Sequence, residues 1–320
     1  MGFLGKMHFN SVRIPAQPPV NGLGTGIKDQ VRVAVVVASV CRGEEIGQLL
    51  DQLAQQTNLA TLIVLSVERP SDLPDRVDPS VHVIMGSRGL PAQRNRGLEH
   101  VLGICDIVVF FDDDFLPAED ALAGIVRLFQ ENEDIIGATG HVLRDGVNQL
   151  GVPYEEALQV LAKHKIAEPG TPVVNTDTDA AYGCNMAFRT AAIGESRFDE
   201  NLPLYAWQED VDFTGQLRAK GRIVKTTIFC GVHRGVSKGR TPGLALGYSQ
   251  MVNPVYLVRK GTMRPMKAGQ LMLKNLIANH AKFLFPEPLI DRAGRSRGNW
   301  LGLWHLLTGR SDPRTILRLG

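Results

Sequence analysis

The stretch "VRVAVVVASV", residues 31–40, is an almost unbroken run of apolar, mainly β-branched residues. A strand solvated on one face would alternate, so a continuous run predicts a strand buried on both faces, as in a parallel sheet. In "EEIGQLLDQLAQQ" (44–56) the apolar residues Ile46, Leu49, Leu50 and Leu53 return at helical intervals, which predicts a helix with one buried stripe. "TLIVLSV" (61–67) predicts a second strand. "LPAQRNRGLEHVL" (90–102) opens with proline in its first turn and sets Leu98, Val101 and Leu102 on one face, so it reads as a helix. "DIVVFFD" (106–112) predicts a third buried strand, "PAEDALAGIVRLFQEN" (117–132) a helix and "IIGATGHVL" (135–143) another strand. Strands and helices alternating at this spacing predict an α/β fold, a doubly wound and mostly parallel sheet flanked by helices.

The alternation breaks after residue 145. Residues 146–180 read as loop with one helix around 153–165, 181–189 as a strand and 207–221 as a helix ending at Gly221. Residues 222–235 read as a strand that passes into a glycine-rich loop. From 265 onward apolar residues recur at helical spacing with lysines between them. Three segments are expected: a flexible Pro/Gly-rich leader over 1–29, an α/β domain over 30–264 and a basic amphipathic helical extension over 265–320.

Charge sharpens that division. The net charge is only +2, but residues 215–320 carry 19 Lys/Arg against 3 Asp/Glu, and residues 1–214 carry 16 against 30. A basic face usually meets phosphate, in nucleic acid or at a membrane surface. No nucleic-acid motif or aromatic platform accompanies it. The four cysteines (Cys41, Cys105, Cys184, Cys230) are scattered, without a CxxC pair. That spacing argues against a disulfide framework and against a structural zinc site. The sequence has no run of about 18 apolar residues and no charged-then-apolar N-terminal signal. The expected location is the cytoplasm, with peripheral attachment to the inner face of the cell membrane as a further option.

In a doubly wound sheet, ligands sit beyond the C-terminal ends of the strands. Three predicted strand ends carry polar groups: Ser39 to Arg42, Ser66 to Arg69, and the triplet Asp112, Asp113 and Asp114. An Asp-x-Asp at such an end offers hard oxygen ligands for Mg²⁺ or Mn²⁺ bound together with substrate phosphates. Read alone, the triplet could equally be a solvated acidic turn. "WQEDVDF" supplies Glu209, Asp210 and Asp212, either a general base or an acidic first turn matched to the helix dipole. Arg94 and Asn95 lie near the start of a helix whose N-terminus can face a phosphate or a base. His233 is a candidate metal ligand, and Arg234, Lys238 and Arg240 in the following loop are candidate diphosphate clamps.

These stretches, in this order over about residues 31–240, resemble the inverting glycosyltransferase family 2, whose fold is GT-A. The resemblance rests on "VVFFDDDFLP" and "WQEDVDF", about 100 residues apart, together with "GLPAQRNRGL" and "GCNMAFR". It implies transfer of a sugar from a nucleotide-diphosphate donor with inversion at the anomeric carbon. It further implies that Asp112 and Asp114 hold a divalent ion, with His233 completing the metal or diphosphate site. Asp113 would contact the ribose or sugar, and Arg94 and Asn95 the nucleotide. Asp210 would be the catalytic base, with Glu209 beside it. Ser39 and Arg42, at the first strand end, are expected among the nucleotide-binding residues.

One departure bears on the donor. Many relatives read uracil with an aspartate after the second strand, where this chain has "VLSVERPSD". Glu68 is the expected substitute, with UDP the first choice of donor and dTDP and GDP open. Two rival readings are a phosphohydrolase with an aspartate nucleophile and a catalytically silent nucleotide-sugar binding module. The first would want its Asp-x-Asp near the first strand, and the Glu209–Asp210 pair argues against the second. Trp300, Leu301, Leu303, Trp304, Leu306 and Leu307 form an apolar segment beside arginines. It suits either a membrane interface or helices packed on the core with basic outer faces. A saccharide or lipid-linked acceptor in bacterial cell-surface polysaccharide synthesis would fit the family. The oligomeric state is not specified by the sequence.

Overall fold

A computed structural model describes residues 31–147, 151–167, 173–236, 242–282 and 290–319. The expected leader over 1–29 lies outside them. The strands are β1 (Val33–Ala38), β2 (Leu62–Val67), β3 (His82–Met85), β4 (Ile107–Asp112), β5 (Phe115–Pro117), β6 (Ile135–Asp145), β7 (Asn175–Asp177), β8 (Asn185–Arg189) and β9 (Arg222–His233). The helices are α1 (Gly43–Ala54), α2 (Leu90–Val101), α3 (Ala121–Glu131), α4 (Tyr154–Ala167), α5 (Thr190–Ile193), α6 (Glu209–Leu217), α7 (Gly243–Lys260), α8 (Pro265–Ala281) and α9 (Arg292–Leu307). The strands form one mixed, mostly parallel central sheet flanked by helices, in the order β3-β2-β1-β4-β8-β6-β9-β5, with β7 paired to β9. The half from β3 to β4 is parallel throughout, and β8 enters antiparallel to both β4 and β6.

The apolar runs explain this sheet. Val33, Val35 and Val37 of β1 and Val109 and Phe111 of β4 face one side, against Ile46, Leu49 and Leu53 of α1 and Leu122, Ile125 and Leu128 of α3. Val36, Val108 and Phe110 face the other side, against Leu98 and Val101 of α2 and Phe213 and Leu217 of α6. Both faces are covered, so neither strand alternates. Phe198 stacks on Phe213 with ring centroids 4.0 Å apart and meets Phe110 edge-on, which joins the loop before α6 to the sheet. Each such side chain contributes about 1.5–3 kcal/mol by burial.

Several elements differ from the sequence reading, and β3, β7 and α5 have no counterpart in it. The expected helix 117–132 starts at Ala121, because Leu116 and Pro117 belong to β5, paired with Val232 and Gly231 of β9. The strand expected at 181–189 begins at Asn185. Helix α7 has no counterpart in that reading: its sequence carries Pro254 internally, which ordinarily breaks a helix, yet here Pro254 is buried.

Candidate active site

The aspartate triplet is a reversal of the chain. Strand β4 ends at Asp112, and the backbone turns and leaves as β5, which pairs antiparallel with the end of β9 so that Phe115 lies opposite His233. This register sets the His233 Nε2 atom 3.3 Å from Asp114 Oδ1 and 4.0 Å from Asp112 Oδ2. Ligand-capable atoms of Asp112, Asp114 and His233 lie within 4.8 Å of one another. Two carboxylates and an imidazole at a strand end form a donor set that fits a hard or borderline divalent cation.

Each aspartate has a different environment. Asp113 is buried; it accepts a 2.6 Å hydrogen bond from Ser39 Oγ and a 2.7 Å bond from Arg42. Burial pushes its carboxyl up to about 7, with Arg42 opposing and the neighbouring Asp114 reinforcing the shift. Asp114 is buried as well, but the pull of His233 and Arg42 and the Val236 N–H, 2.8 Å away, outweigh burial and hold it below its ordinary value. Asp112 is the open member: about a third of its side chain is exposed, and Arg94 donates to it at 2.8 Å.

Beneath the triplet, Arg94 of α2 is fully buried between the Phe110 and Phe198 rings, 5.9 and 5.6 Å from their centroids. Besides Asp112 it donates to Glu209 and to the Gly183 carbonyl (2.7 Å). One guanidinium therefore links the end of β4 to the first residue of α6 through its planar fork. The Gly183 N–H donates to Asp210 Oδ2 at 3.0 Å, and the Val211 N–H to Oδ1 at 2.8 Å. Burial raises the Asp210 carboxyl, while these two N–H groups and Arg94 act against it. Burial likewise pushes Glu209 up to about 8 against the pull of Arg94, and its Oε2 has no hydrogen-bond partner among the described residues.

The segment leading into α6 is strained. Leu204, Ala206 and Gln208 have φ of 60°, 49° and 76°, left-handed values for residues that carry a Cβ. Hydrogen bonds hold the segment from two sides: the Leu90 N–H reaches the Leu204 carbonyl (2.9 Å), and Asn253 of α7 reaches the Trp207 carbonyl (2.8 Å). A cavity of about 210 Å³ runs from the ends of β1 and β4 to this segment; Ser39, Arg42, Arg88, Asp112, Asp113 and Tyr205 are among the residues lining it.

Of the residues singled out in the sequence, Ser39, Arg42, Asp112 and Asp113 meet at the cavity, and Asp114, His233, Arg94, Glu209 and Asp210 join them through the contacts above. Asn95 and Glu68 do not join them. The Asn95 amide is spent on the Phe198 backbone and Glu200, at 2.9 Å each. Glu68 is not among the cavity-lining residues, and its side chain lies beside Arg69, 3.5 Å away. Asp212 is structural: it is buried against Lys260, Thr262 and Gln216. Arg234 packs over the Tyr154 ring and donates to the Val152 carbonyl. Lys238 and Arg240 lie outside the described residues.

Sequence reasoning missed four supporting groups. Gln93 donates to the Ser39 and Ser66 carbonyls, both at 2.8 Å, and so ties the ends of β1 and β2 together. Asp72 is completely buried and accepts from the backbone N–H groups of Cys41, Glu68 and Arg69 at 3.0–3.2 Å. Asp145 Oδ1 lies 3.2 Å from His233 Nδ1, and Tyr182 donates to the other Asp145 oxygen at 3.0 Å. Burial disfavours a charged His233 ring, but Asp114 and Asp145 outweigh it and raise the imidazole well above its ordinary value. Proline before Asp72 in "RPSD" was the available signal for that turn; nothing in the local sequence marks Asp145.

The sequence model of glycosyl transferase family 2 matches residues 35–196, about half of the chain. This chain belongs to glycosyl transferase family 2. It is accordingly a glycosyltransferase, and its fold is of the GT-A type. The matched stretch contains the aspartate triplet and ends before Asp210 and His233. The fold is similar to that of S. aureus TarS residues 1–349 in complex with UDP: TM-score 0.51 and 14% identity, covering 89% of this chain and 90% of that one. It is also similar to the mannosyltransferase PcManGT from Pyrobaculum calidifontis in complex with GDP-Man and Mn²⁺: TM-score 0.50 and 17% identity, covering 91% and 86%. Against the longer S. aureus TarS structure (TM-score 0.47, 16% identity), 79% of this chain is covered and only 44% of the other. A comparison with curated proteins found no match.

Proposed function

We propose that this glycosyltransferase moves a sugar from a UDP-sugar to a saccharide or lipid-linked saccharide acceptor in cell-surface polysaccharide synthesis, with inversion at the anomeric carbon. The observation that carries this reading is the arrangement of two carboxylate groups around one buried guanidinium: Asp112 with Asp114 and His233 on one side, Asp210 beside Glu209 on the other. A single displacement needs a base at the acceptor and a stabilised leaving group, and no enzyme nucleophile. Asp210 accepts the acceptor hydroxyl proton as that oxygen bonds to the anomeric carbon and the bond from that carbon to the diphosphate oxygen breaks. A carboxyl raised by burial is the better base for this step near neutral pH. Asp112, Asp114 and His233 would hold Mg²⁺ or Mn²⁺, and a cation bound there would offset charge on the departing diphosphate. Ser39, Arg42 and Asp113 line the nucleotide side of the cavity, and Arg94 fixes the distance between the two halves. UDP as the donor nucleotide is supported by the TarS complex, and a divalent ion by the PcManGT complex.

The test combines ligand stabilisation with one substitution. Thermal unfolding with UDP-, GDP- and dTDP-sugars, each with and without Mn²⁺, is expected to show a rise for the UDP-sugar that requires the metal. Asp210→Asn is expected to keep that rise while transfer falls by about 10²-fold or more. Transfer that persists in Asp210→Asn would remove Asp210 as the base, and stabilisation by GDP-sugar alone would replace the donor.

A further inference from the structure

Helices α8 and α9 each bury one side and leave a row of large apolar side chains on the other. In α9, Gly294, Gly298 and Gly302 face α7 so closely that a Cβ on Gly298 would lie 2.2 Å from the Leu244 carbonyl oxygen. At 100° per residue, Trp300, Trp304 and Leu307 fall on the opposite side. They are 61%, 59% and 84% exposed. In α8, Ala268 and Asn279 are buried, and Met266, Leu273 and Ile277 lie opposite, 58–77% exposed. The two rows are neighbours: the Trp300 ring meets the His280 ring edge-on at 5.7 Å, and Ser296 is 2.9 Å from His280 Nε2.

Cations flank both rows. Lys267 and Lys274 of α8 and Arg297 of α9 project beside the apolar residues and have no carboxylate partner among the described residues. From residue 265 to the end the chain has nine Lys/Arg and three Asp/Glu. No helix of the described residues is long and apolar enough to cross a membrane. Tryptophan and long aliphatic side chains on one helical side, edged by lysine and arginine, match the headgroup boundary of an anionic bilayer, with rings at the acyl edge and cations at the phosphates. A soluble protein partner would be served by the apolar residues alone; the surrounding positive charge is what selects acidic phospholipid.

We infer that the exposed sides of α8 and α9 dock this protein, peripherally, onto an anionic phospholipid surface. This goes beyond the chemistry assigned to the cleft and does not depend on it. The test is sedimentation of the full chain with vesicles of phosphatidylcholine alone and of phosphatidylcholine mixed with phosphatidylglycerol. Binding is expected to the mixed vesicles and to weaken in high salt. Trp300→Ala with Trp304→Ala should lower the partition coefficient by at least about tenfold. Lys267→Glu with Lys274→Glu should lower it to a similar degree and remove the preference for phosphatidylglycerol. All four residues are surface groups, so circular dichroism and thermal unfolding should be unchanged. If the tryptophan pair fails to fold, Leu273→Gln with Ile277→Gln asks the same question on α8. Absence of binding to mixed vesicles, or binding that neither set of substitutions weakens, overturns the inference. So does a dimer that the tryptophan substitutions convert to monomer, because the surface then belongs to a second copy. The assay needs no sugar donor, so its failure would leave the proposed transfer reaction untouched.

Discussion

Asp72 shows how much a single buried carboxylate can organise. It takes three backbone N–H groups from the turns that follow β1 and β2, and those bonds hold its pKa below the ordinary value despite the opposing effect of burial. The unfolded chain titrates this group near the usual value of about 3.9. The stabilisation is therefore complete above that pH and is lost as pH falls through the lower, folded value. Asp72→Asn is expected to cost about 1–3 kcal/mol at neutral pH, measured by urea denaturation. The difference between variant and wild type should shrink as the titration is carried below pH 4. Asp145 acts on the ring rather than on the backbone. It holds His233 Nδ1 and so fixes the orientation of Nε2 toward Asp112 and Asp114. Asp145→Asn is expected to weaken Mn²⁺ binding by about 10–100-fold, read by calorimetry, with little change in unfolding temperature.

Helix packing makes a sharper demand where α7 meets α9. Gly247 approaches the Arg295 backbone and Gly298 the Leu244 and Tyr248 backbones, each closer than any Cβ could tolerate. Gly298→Leu is expected to destabilise the protein by about 1–3 kcal/mol or more, measured by chemical denaturation, because backbone must move to admit the side chain. Such a contact is invisible to a hydrophobic pattern, and this is one reason α7 was missed: its buried side consists of Gly247, Ser249, Gln250 and Asn253 as well as apolar residues. By contrast β1, β2, β4 and α1 were legible because burial on both sheet faces, or on one helix side, leaves a period in the sequence. The site divides the same way. Asp112–Asp114 and Glu209–Asp210 announce themselves as clusters at element ends. Gln93, Asp145 and Tyr182 acquire their roles only from pairings between distant segments, above all the β6–β9 register that sets Asp145 opposite His233, that no local stretch encodes.

At the scale of the whole molecule, the C-terminal helices are tied to α6 and the segment before it by charge. Lys260, at the end of α7, reaches both Asp199 and Asp212 at 2.6–2.7 Å, and Thr262 donates to Asp212, which is fully buried. Lys260→Met would strand the Asp212 carboxylate; the expected cost is about 3–5 kcal/mol by denaturant titration, and Asp212→Asn in the same chain should recover part of it. The left-handed residues at 204, 206 and 208 give this tie its meaning. Each costs about 1–3 kcal/mol and persists only while its surroundings insist on it. One of those constraints, the Asn253 amide, comes from α7. A perturbation that loosens α7 therefore lets the backbone ahead of Asp210 fall back toward ordinary angles, so damage remote from the cleft would be felt as a displaced Asp210 carboxylate before it is felt as unfolding.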